Sequence, residues 1–366
     1  MSKPKVVIVG GGYAGSELAQ RLDRDFAVTL IERKQRFLHN LAALRAAVRP
    51  EILGSILLPY DRLLTKGVVV QDSAKTVHRD RLETQSGQHF AFDFCVIATG
   101  SSYVAPGKTA HNDLKSTRAE YHSLASRIGA AKSVTLIGGG PVGIELAGEI
   151  REVYRDKIIS LVNAGDKLVA GPYDPRLSQR LEKLLRNHGI ELHMGQNVQS
   201  VVDDQGRFIH RLSSGKELVS DLSIQCFGSS PVCCDFTSEH FTELFDERKR
   251  LKVNQHLQLE KHANIFAIGD VTNVNEPKTA ISCKEHTATV AENIRRMVNG
   301  QKNLRTYVPK HQQIMVIPFG SRLGVGQLPV GPKALVVGNI ATSLIKGRGL
   351  FIQRYLSQFG FKHPVE

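Results

Sequence analysis

The same glycine-rich unit occurs twice in this chain, and the repeat restricts its fold more than any other feature. In the first copy an apolar strand at residues 5–9 runs into Gly10-Gly11-Gly12-Tyr13-Ala14-Gly15. A helix is predicted from about Ser16 to Leu22, and a second strand over residues 28–31 ends at Glu32. Strand, G-x-G-x-x-G, helix, strand and acid, in this order, are typical of a fold that binds a dinucleotide.

Each part of this fingerprint has a physical role. Gly10 permits the tight turn, Gly12 lets the backbone approach a pyrophosphate, and Gly15 lets the helix and the strand pack closely. The N-terminus of the helix offers free N–H groups and partial positive charge to the phosphates. Glu32 can accept hydrogen bonds from a ribose diol. We therefore expect residues 10–15 and Glu32 to bind the first nucleotide.

The second copy begins at Gly138, 128 residues after Gly10. An apolar strand at residues 133–137 leads into Gly138-Gly139-Gly140-Pro141-Val142-Gly143, then a helix and a strand over residues 158–162. We expect this loop to hold a pyridine nucleotide. The residue that corresponds to Glu32 is the neutral Asn163, and because an acid there would repel a 2′-phosphate, both NADH and NADPH remain open. Lys167 could bind such a phosphate, although a solvated loop lysine is the alternative.

Two shorter segments complete the pattern. Residues 94–98 form a strand that ends in Thr99 and Gly100, where the chain can pass close to a nucleotide. Another strand, residues 264–269, ends in Asp270, and a helix is predicted from Lys278 to Met297, with Ala280 in its first turn. In flavoproteins with two dinucleotide folds, an Asp in this place binds the ribityl chain of FAD, and the helix directs its positive end toward the flavin ring. Considered alone, Asp270 could equally be a turn or N-cap acid.

The predicted fold is therefore α/β, with two Rossmann-like dinucleotide-binding domains. Residues 1–107 and 235–305 are expected to form a discontinuous FAD domain, and residues 108–234 an NAD(P) domain inserted into it. Residues 306–366 are expected to form a small C-terminal α+β region.

In their order along the chain these motifs resemble the pyridine nucleotide–disulfide oxidoreductase superfamily. The disulfide branch carries paired cysteines in the helical segment after the first fold, but residues 37–48, FLHNLAALRAAV, contain no cysteine, which excludes a dithiol relay there. That segment is similar to the ferroptosis suppressor family, also described as mitochondrion-associated homologues of apoptosis-inducing factor. Further matches are Pro106-Gly107-Lys108, residues 324–327, and Lys346 with Leu350-Phe351.

The resemblance implies an NAD(P)H:quinone oxidoreductase with non-covalent FAD, acting on ubiquinone- or vitamin K-like quinones at membranes. By position it implies cofactor contacts at Arg45, Val69, Asp270, Lys278 and Ala280. It places Lys108 and Glu145 as catalytic residues where the nicotinamide meets the flavin edge, and Lys346 and Phe351 in a quinone and membrane region. Ser2 stands where the family has a myristoylated glycine, so N-myristoylation is not expected.

The expected reaction passes a hydride from the nicotinamide to N5 of the flavin, and the protein supplies position and charge. Lys108, paired with Glu145, is the candidate stabiliser of the reduced flavin, and a surface lysine after a Pro-Gly turn is the alternative. His39 and His286 could each donate a proton or hydrogen bond to flavin or quinone. Either could instead be a helix histidine satisfied by the backbone.

The tail of the chain carries an apolar stripe with helical spacing. Its members are Phe351, Ile352, Tyr355, Leu356 and Phe359, flanked by basic residues. A helix of this kind can lie in a bilayer interface and meet a lipid-dissolved quinone. The alternatives are a helix docked on its own domain or at a homodimer interface.

Net charge and cysteine usage leave other functions open. The net charge of +13 is spread along the chain, so a basic DNA-associated effector of the apoptosis-inducing-factor kind is one alternative. A ferredoxin-type or sulfide:quinone-type reductase is another, although the latter needs cysteine pairs that the spacing does not clearly offer. The five cysteines form no C-x-x-C pair and predict no metal site, and the adjacent Cys233 and Cys234 are expected in a loop.

The expected location is cytoplasmic. No apolar run approaches the roughly 20 residues of a membrane span, and the first residues do not read as a signal peptide. Peripheral attachment to membranes or lipid droplets is the alternative.

Overall fold

A computed structural model describes residues 3–236, 241–309, 314–330 and 333–365. The strands are β1 (Lys5–Val9), β2 (Ala27–Glu32), β3 (Arg36–Leu38), β4 (Leu57–Pro59), β5 (Val68–Gln71), β6 (Ala74–Val77), β7 (Arg81–Thr84), β8 (His89–Ala91), β9 (Phe94–Ile97), β10 (Ser101–Ser102), β11 (Ser133–Ile137), β12 (Ile158–Asn163), β13 (Ile190–Met194), β14 (Val198–Val202), β15 (Phe208–Leu212), β16 (Glu217–Ser220), β17 (Leu222–Gln225), β18 (Ser230–Pro231), β19 (Asp235–Phe236), β20 (Ile265–Ala267), β21 (Met315–Phe319), β22 (Leu323–Val330) and β23 (Lys333–Val337). The α-helices are α1 (Tyr13–Leu22), α2 (Asn40–Ala46), α3 (Leu53–Ile56), α4 (Leu114–Ala130), α5 (Pro141–Val153), α6 (Pro175–Asn187), α7 (Ala280–Val298), α8 (Asn339–Thr342) and α9 (Ile352–Gln358).

The first large sheet has the strand order β20-β9-β1-β2-β5, and all its pairs are parallel. Its central strands are short apolar runs that are buried on both faces. Val6 and Ile8 pack with helix residues on one face, and Val7 and Val9 pack with residues of β6 and β7 on the other. Leu18 of α1 and Ile294 of α7 belong to this core. Since β20 follows the whole second sheet in the chain, the first domain is discontinuous.

The second large sheet has the order β13-β12-β11-β17 and is also entirely parallel. The two sheets confirm the predicted α/β fold with two Rossmann-like domains. The exact boundaries at 107/108 and 234/235 remain a prediction. Next to both of them, β10 and β18 pair as a two-stranded antiparallel ribbon, so the two crossings of the chain between the domains run side by side.

Smaller antiparallel sheets complete the two domains. Strands β6, β7 and β8 form one with β19 added in parallel, and β14, β15 and β16 form another. Strands β3 and β4 form a short antiparallel pair beside the first large sheet.

The C-terminal region is an α+β unit that packs on the second domain. Strands β21, β22 and β23 form an antiparallel sheet. A Cβ on Gly148 of α5 would lie 2.4 Å from the amide nitrogen of Gly320 and 2.5 Å from Cα of Phe319, so α5 and the end of β21 are in backbone contact. After this sheet come α8, a π-helical turn at Ser343–Gly347, and α9.

Three of the five residues of the tail's apolar stripe are buried inside the protein, which corrects the prediction that the stripe faces a bilayer. Tyr355, Leu356 and Phe359 are at most 7% exposed, and the ring centroids of Phe359 and Phe37 lie 4.5 Å apart. The structure supports the alternative of a helix docked on its own domain, because aromatic rings of the FAD domain cover the stripe. Phe351 keeps 37% of its surface exposed.

Candidate functional site

A cleft of about 320 Å³ opens at the carboxyl ends of β1, β9 and β20. Ligands of open α/β sheets bind at this edge. The fingerprint loop from Gly10 to Ala14 forms one wall, Thr99 and Gly100 form the second, and Gly269 with Asp270 forms the third. The structure therefore brings together three segments that the sequence predicted as nucleotide contacts.

The first glycine turn has the shape that a phosphate backbone requires. Gly10 has a φ of +101°, and a Cβ on Gly15 would lie 1.8 Å from the carbonyl oxygen of Gly10, so both positions need glycine. A Cβ on Gly12 would meet nothing within 4 Å, which leaves open space in front of that residue. Glu32 accepts hydrogen bonds from the amides of Gly11 at 2.5 Å and Lys34 at 2.8 Å. These residues fit the pyrophosphate and ribose of a dinucleotide.

The second glycine turn repeats this geometry without the charge. Gly138 has a φ of +122°, and a Cβ on Gly143 would lie 2.0 Å from the carbonyl oxygen of Gly138. Oδ1 of Asn163 accepts from the amide of Gly139 at 3.0 Å, as Glu32 does in the first domain. Its Nδ2 donates to the carbonyls of residues 165 and 167, so the amide of Asn163 is occupied within its own loop.

A carboxylate, a hydroxyl and an ammonium meet at the third wall of the cleft. Ser101 Oγ donates to Asp270 Oδ2 over 2.7 Å, and Lys108 Nζ donates to the carbonyl and the hydroxyl of Ser101 at 2.6 and 2.8 Å. Lys108 Nζ lies 3.6 Å from Asp270 Oδ2. The structure thus brings together Lys108 and Asp270, two of the predicted site residues.

Residues 4–294 match the family described as pyridine nucleotide-disulphide oxidoreductase. The chain belongs to this family. Apoptosis-inducing factor homolog B of Dictyostelium discoideum is 32% identical over 387 residues, covering 99% of this chain and 98% of that protein. Ferroptosis suppressor protein 1 of Xenopus tropicalis is 31% identical over 374 residues, covering 98% and 97%. The predicted resemblance is confirmed.

A solved structure supports the same architecture. The sulfide:quinone oxidoreductase of Aquifex aeolicus superposes with a TM-score of 0.76 over 97% of this chain and 91% of that chain, at 17% identity. At this identity the likeness concerns the fold. As a member of the pyridine nucleotide-disulphide oxidoreductase family with two dinucleotide cradles, the protein is a flavin-dependent oxidoreductase that binds FAD and NAD(P)H.

Within this family fold, the predicted pairing of Lys108 with Glu145 is wrong. Glu145 lies on α5, where its carboxylate accepts from Lys346 Nζ over 2.6 Å, and both side chains are buried. Burial raises the pKa of Glu145, and the ammonium of Lys346 opposes this only in part. Lys346 is thus inside the protein, bound to α5, and the partner of Lys108 is Asp270 because Ser101 holds the two together.

Among the predicted cofactor residues outside the two glycine turns, four do not line the cleft, and their contacts stay predictions. Arg45 forms a buried ion pair with Glu149 at 2.9 Å and donates to the carbonyl of Gly347 at 2.7 Å. Val69, on β5, borders a neighbouring groove that shares Glu32 with the cleft. The other two are Lys278, whose Nζ donates to the carbonyl of Val274 at 2.8 Å, and Ala280, which begins α7.

Both predicted histidines are buried and already bonded. His39 Nε2 lies 2.6 Å from the carbonyl oxygen of Leu350, and its Nδ1 lies 2.9 Å from the hydroxyl of Tyr13. Burial lowers the pKa of His39 to about 4, so its ring is neutral at physiological pH. Nδ1 of His286 accepts a hydrogen bond from the amide of Gly269 over 3.0 Å. Each ring is therefore in contact with a backbone group, and a role of either histidine at the flavin or the quinone stays a prediction.

Three cysteines line the cleft, which the sequence interpretation did not predict. They are Cys233 and Cys234, which follow β18, and Cys283 on α7. Burial raises the pKa of the Cys283 thiol to about 12, so this thiol stays protonated. The sequence could not reveal this cluster, because Cys283 follows Cys234 by 49 residues and only the fold brings them together.

The described ranges contain neither a metal-ligand cluster nor a helix suited to span a membrane. No three His, Cys, Asp or Glu side chains there cluster as metal ligands would. Nor does any helix in those ranges have the length and apolar character to cross a bilayer.

Proposed function

We propose that this protein oxidises NAD(P)H and reduces a ubiquinone- or vitamin K-like quinone by two electrons. NAD(P)H, one proton and the quinone give NAD(P)⁺ and the hydroquinone. Bound FAD supplies the two-electron carrier, while the chain binds and orients the reactants. A relative named ferroptosis suppressor protein 1 and a fold neighbour named sulfide:quinone oxidoreductase support this acceptor class.

The observation that carries the proposal is a second cavity, of about 340 Å³, at the start of α7. Its apolar residues are Ile281, Val308, Ile314 and Pro329. Most of its other lining residues are polar, among them Tyr307 and the charged Glu285 and Arg305. This size and mixture suit a small ring compound with carbonyl oxygens. Ser282 of α7 lines this cavity while its neighbour Cys283 lines the flavin cleft, so a quinone here would be one helix away from the flavin.

Lys108 and Glu145 have different proposed roles. Lys108 brings a positive charge to the cleft wall, where it stabilises negative charge that develops on the flavin. Glu145, two residues after Gly143, ties the nucleotide-binding helix α5 to the C-terminal region through Lys346. We propose that this ion pair orients the nicotinamide end of NAD(P)H.

An anaerobic titration tests the function. The purified protein should show a flavin absorbance spectrum, lose it on addition of NADH or NADPH, and regain it when a short-chain ubiquinone is added. A flavin that NAD(P)H reduces but that quinones do not reoxidise contradicts the quinone assignment. A colourless protein that takes up no FAD contradicts the whole proposal.

We propose that both NADH and NADPH serve as donors. Asn163 is neutral, and its amide is held by Gly139 and by its own loop, so no charge repels a 2′-phosphate. The Michaelis constants of the two nucleotides should differ by less than about a hundredfold, or about 2.7 kcal/mol. A larger preference for NADH would show that Asn163 is not permissive.

We also propose peripheral binding to an anionic bilayer, through exposed residues near the tail and not through the three buried residues of the stripe. Ile340 and Leu344 are 80% and 64% exposed, and Phe351 is 37% exposed. Arg348 and Arg354 are exposed in the same segment, which suits acidic headgroups. Flotation with anionic liposomes should be lost after Ile340→Asp with Leu344→Asp. The control is Val201→Asp with Val202→Asp, which changes exposed residues on β14.

Sulfide oxidation is a second candidate, because Cys233, Cys234 and Cys283 line the cleft. Sulfide added without NAD(P)H should then bleach the flavin, and Cys233→Ser should abolish this. If sulfide leaves the flavin oxidised while NAD(P)H reduces it, this candidate is eliminated and the first stands.

A further inference from the structure

A buried histidine, a glutamate and a tyrosine form a chain behind the turn that carries Asp270. The amide of Gly269 donates to Nδ1 of His286 over 3.0 Å. Nε2 of His286 lies 2.9 Å from Oε1 of Glu276, although this pair lacks the alignment of a full hydrogen bond. The hydroxyl of Tyr307 donates to Oε2 of Glu276, and its ring meets the imidazole edge to face, with centroids 4.4 Å apart.

These contacts fix the tautomer of the imidazole. Because the amide of Gly269 donates to Nδ1, that nitrogen carries a lone pair, and the ring proton sits on Nε2, toward Glu276. The side chains of His286 and Glu276 are 0% and 2% exposed, so solvent does not replace either contact. Burial alone would raise the pKa of Glu276, but the close imidazole of His286 and the hydrogen bond from Tyr307 lower it, so the carboxylate stays ionised.

The turn that His286 contacts has a left-handed backbone at its glycine. Gly269 has a φ of +76°, and its amide is the donor that His286 accepts. The next residue, Asp270, extends its carboxylate to Ser101 and Lys108 in the cleft. The front of the turn is therefore held by polar side chains of the cleft, and its rear is held by His286.

We infer that His286 is a positioning residue for FAD, which fixes the Gly269–Asp270 turn from behind, with Glu276 and Tyr307 holding the imidazole in place. Tyr307 and Glu276 also line the cavity at the start of α7, so this chain joins the wall of that cavity to the wall of the flavin cleft. The inference rests on FAD binding and not on the quinone acceptor.

The chain offers a matched control for His286. His210, on β15, is also fully buried, and both its ring nitrogens have a close polar partner, Ser200 Oγ at 2.7 Å and Ser220 Oγ at 3.1 Å. It lies outside the cleft. A leucine at either position removes two buried polar contacts, but only His286→Leu releases the Asp270 turn.

The test measures the dissociation constant of FAD from the apoprotein, the visible spectrum of the bound flavin and the melting temperature. His286→Leu should raise the FAD dissociation constant by about tenfold or more and shift the flavin absorbance bands, since about 1.4 kcal/mol corresponds to a factor of ten. His210→Leu should lower the melting temperature and leave the dissociation constant within about twofold of wild type. A His286→Leu protein with unchanged FAD affinity and spectrum overturns the inference, as does an equal loss in His210→Leu.

Conservative variants separate positioning from packing. The Oδ1 atom of an asparagine can take the place of Nδ1, so His286→Asn should recover most of the lost FAD affinity. Tyr307→Phe keeps the ring contact and removes only the hydroxyl, and should shift the flavin spectrum in the direction of His286→Leu. It also serves if His286→Leu does not fold, and an unshifted spectrum in Tyr307→Phe would then overturn the inference. These measurements of FAD affinity and flavin spectrum contain neither NAD(P)H nor quinone, so a failure of quinone reduction would not affect their result.

Discussion

Lys108 contributes the positive charge at the third wall of the cleft, where Ser101 and Asp270 fix its position. Lys108→Met keeps the length of the side chain and removes the charge, so stopped-flow rates of flavin reduction or reoxidation should fall by about tenfold, about 1.4 kcal/mol. Lys157→Met is the control, because Lys157 binds backbone carbonyls of residues 129 and 131, remote from the cleft. Rates within about twofold of wild type would remove Lys108 from the mechanism.

His39 makes stability depend on pH. Burial lowers its pKa to about 4 in the folded protein, whereas the unfolded ring titrates near pH 6.5. Its contribution is complete above pH 6.5 and is lost as the pH falls toward 4, in total about 3 kcal/mol. In urea unfolding of the apoprotein, His39→Gln should flatten the loss of stability across this window, while His363→Gln, at an exposed position, should not. Parallel curves for wild type and His39→Gln would contradict the prediction.

At the scale of elements, α9 acts as part of the FAD domain. Phe359 is fully buried and stacks on Phe37, which itself lines the flavin cleft. Phe359→Ala should lower the free energy of unfolding by about 3–5 kcal/mol, because it leaves a cavity among aromatic rings. Phe351→Ala, at a residue that is 37% exposed, should cost much less. Equal losses in thermal or urea unfolding would show that the stripe is not part of the core.

The second glycine turn allows folding and nucleotide binding to be separated. A Cβ on Gly140, whose φ is −80°, would meet nothing within 4 Å, yet it would occupy the space in which the pyrophosphate approaches the backbone. Gly140→Ala should keep the melting temperature and bound FAD, and raise the dissociation constant of NAD(P)H by about tenfold. Gly338→Ala, equally open and at the N-cap of α8, should change neither quantity. Unaltered nucleotide binding in Gly140→Ala would place the nucleotide elsewhere.

The elements that the sequence predicts well are those whose signal is local. The strand, glycine turn and helix around Gly10 and Gly138 depend on neighbouring residues, and the helix predicted at 278–297 is found at Ala280–Val298. Contacts between distant segments could not be predicted from the sequence. The pair of Lys108 and Asp270 is an example, because the residues around each of them do not indicate which side chain it contacts. The tail shows the same limit, since the spacing of Tyr355 and Phe359 indicates a buried face without saying whether lipid or protein covers it.

On the scale of the whole molecule, two buried ion pairs join the three parts of the chain. Arg45 of α2 pairs with Glu149 of α5 and donates to the π-helical turn, and Lys346 of that turn pairs with Glu145 of α5. These contacts tie the FAD domain, the NAD(P) domain and the C-terminal region at one point.

Breaking this junction should be costly. Glu149→Gln leaves the guanidinium of Arg45 buried without its counter-charge, and should destabilise the protein by about 3–5 kcal/mol. The control is Glu17→Gln, which removes an ion pair with Arg21 on the surface of α1 and should cost about 0–1 kcal/mol. Chemical denaturation would compare the two, and a Glu149→Gln loss no greater than that of Glu17→Gln would contradict the role of the junction.

The ribbon of β10 and β18 lies beside the chemistry as well as between the domains. Ser101 belongs to it and holds both Lys108 and Asp270, while Val232 binds Gly100 and leads directly into Cys233. If the NAD(P) domain rotates relative to the FAD domain about this ribbon, the rotation axis passes beside the flavin cleft. An opening that admits or releases NAD(P)H would then also shift Lys108 and Asp270, and with them the charges next to the flavin.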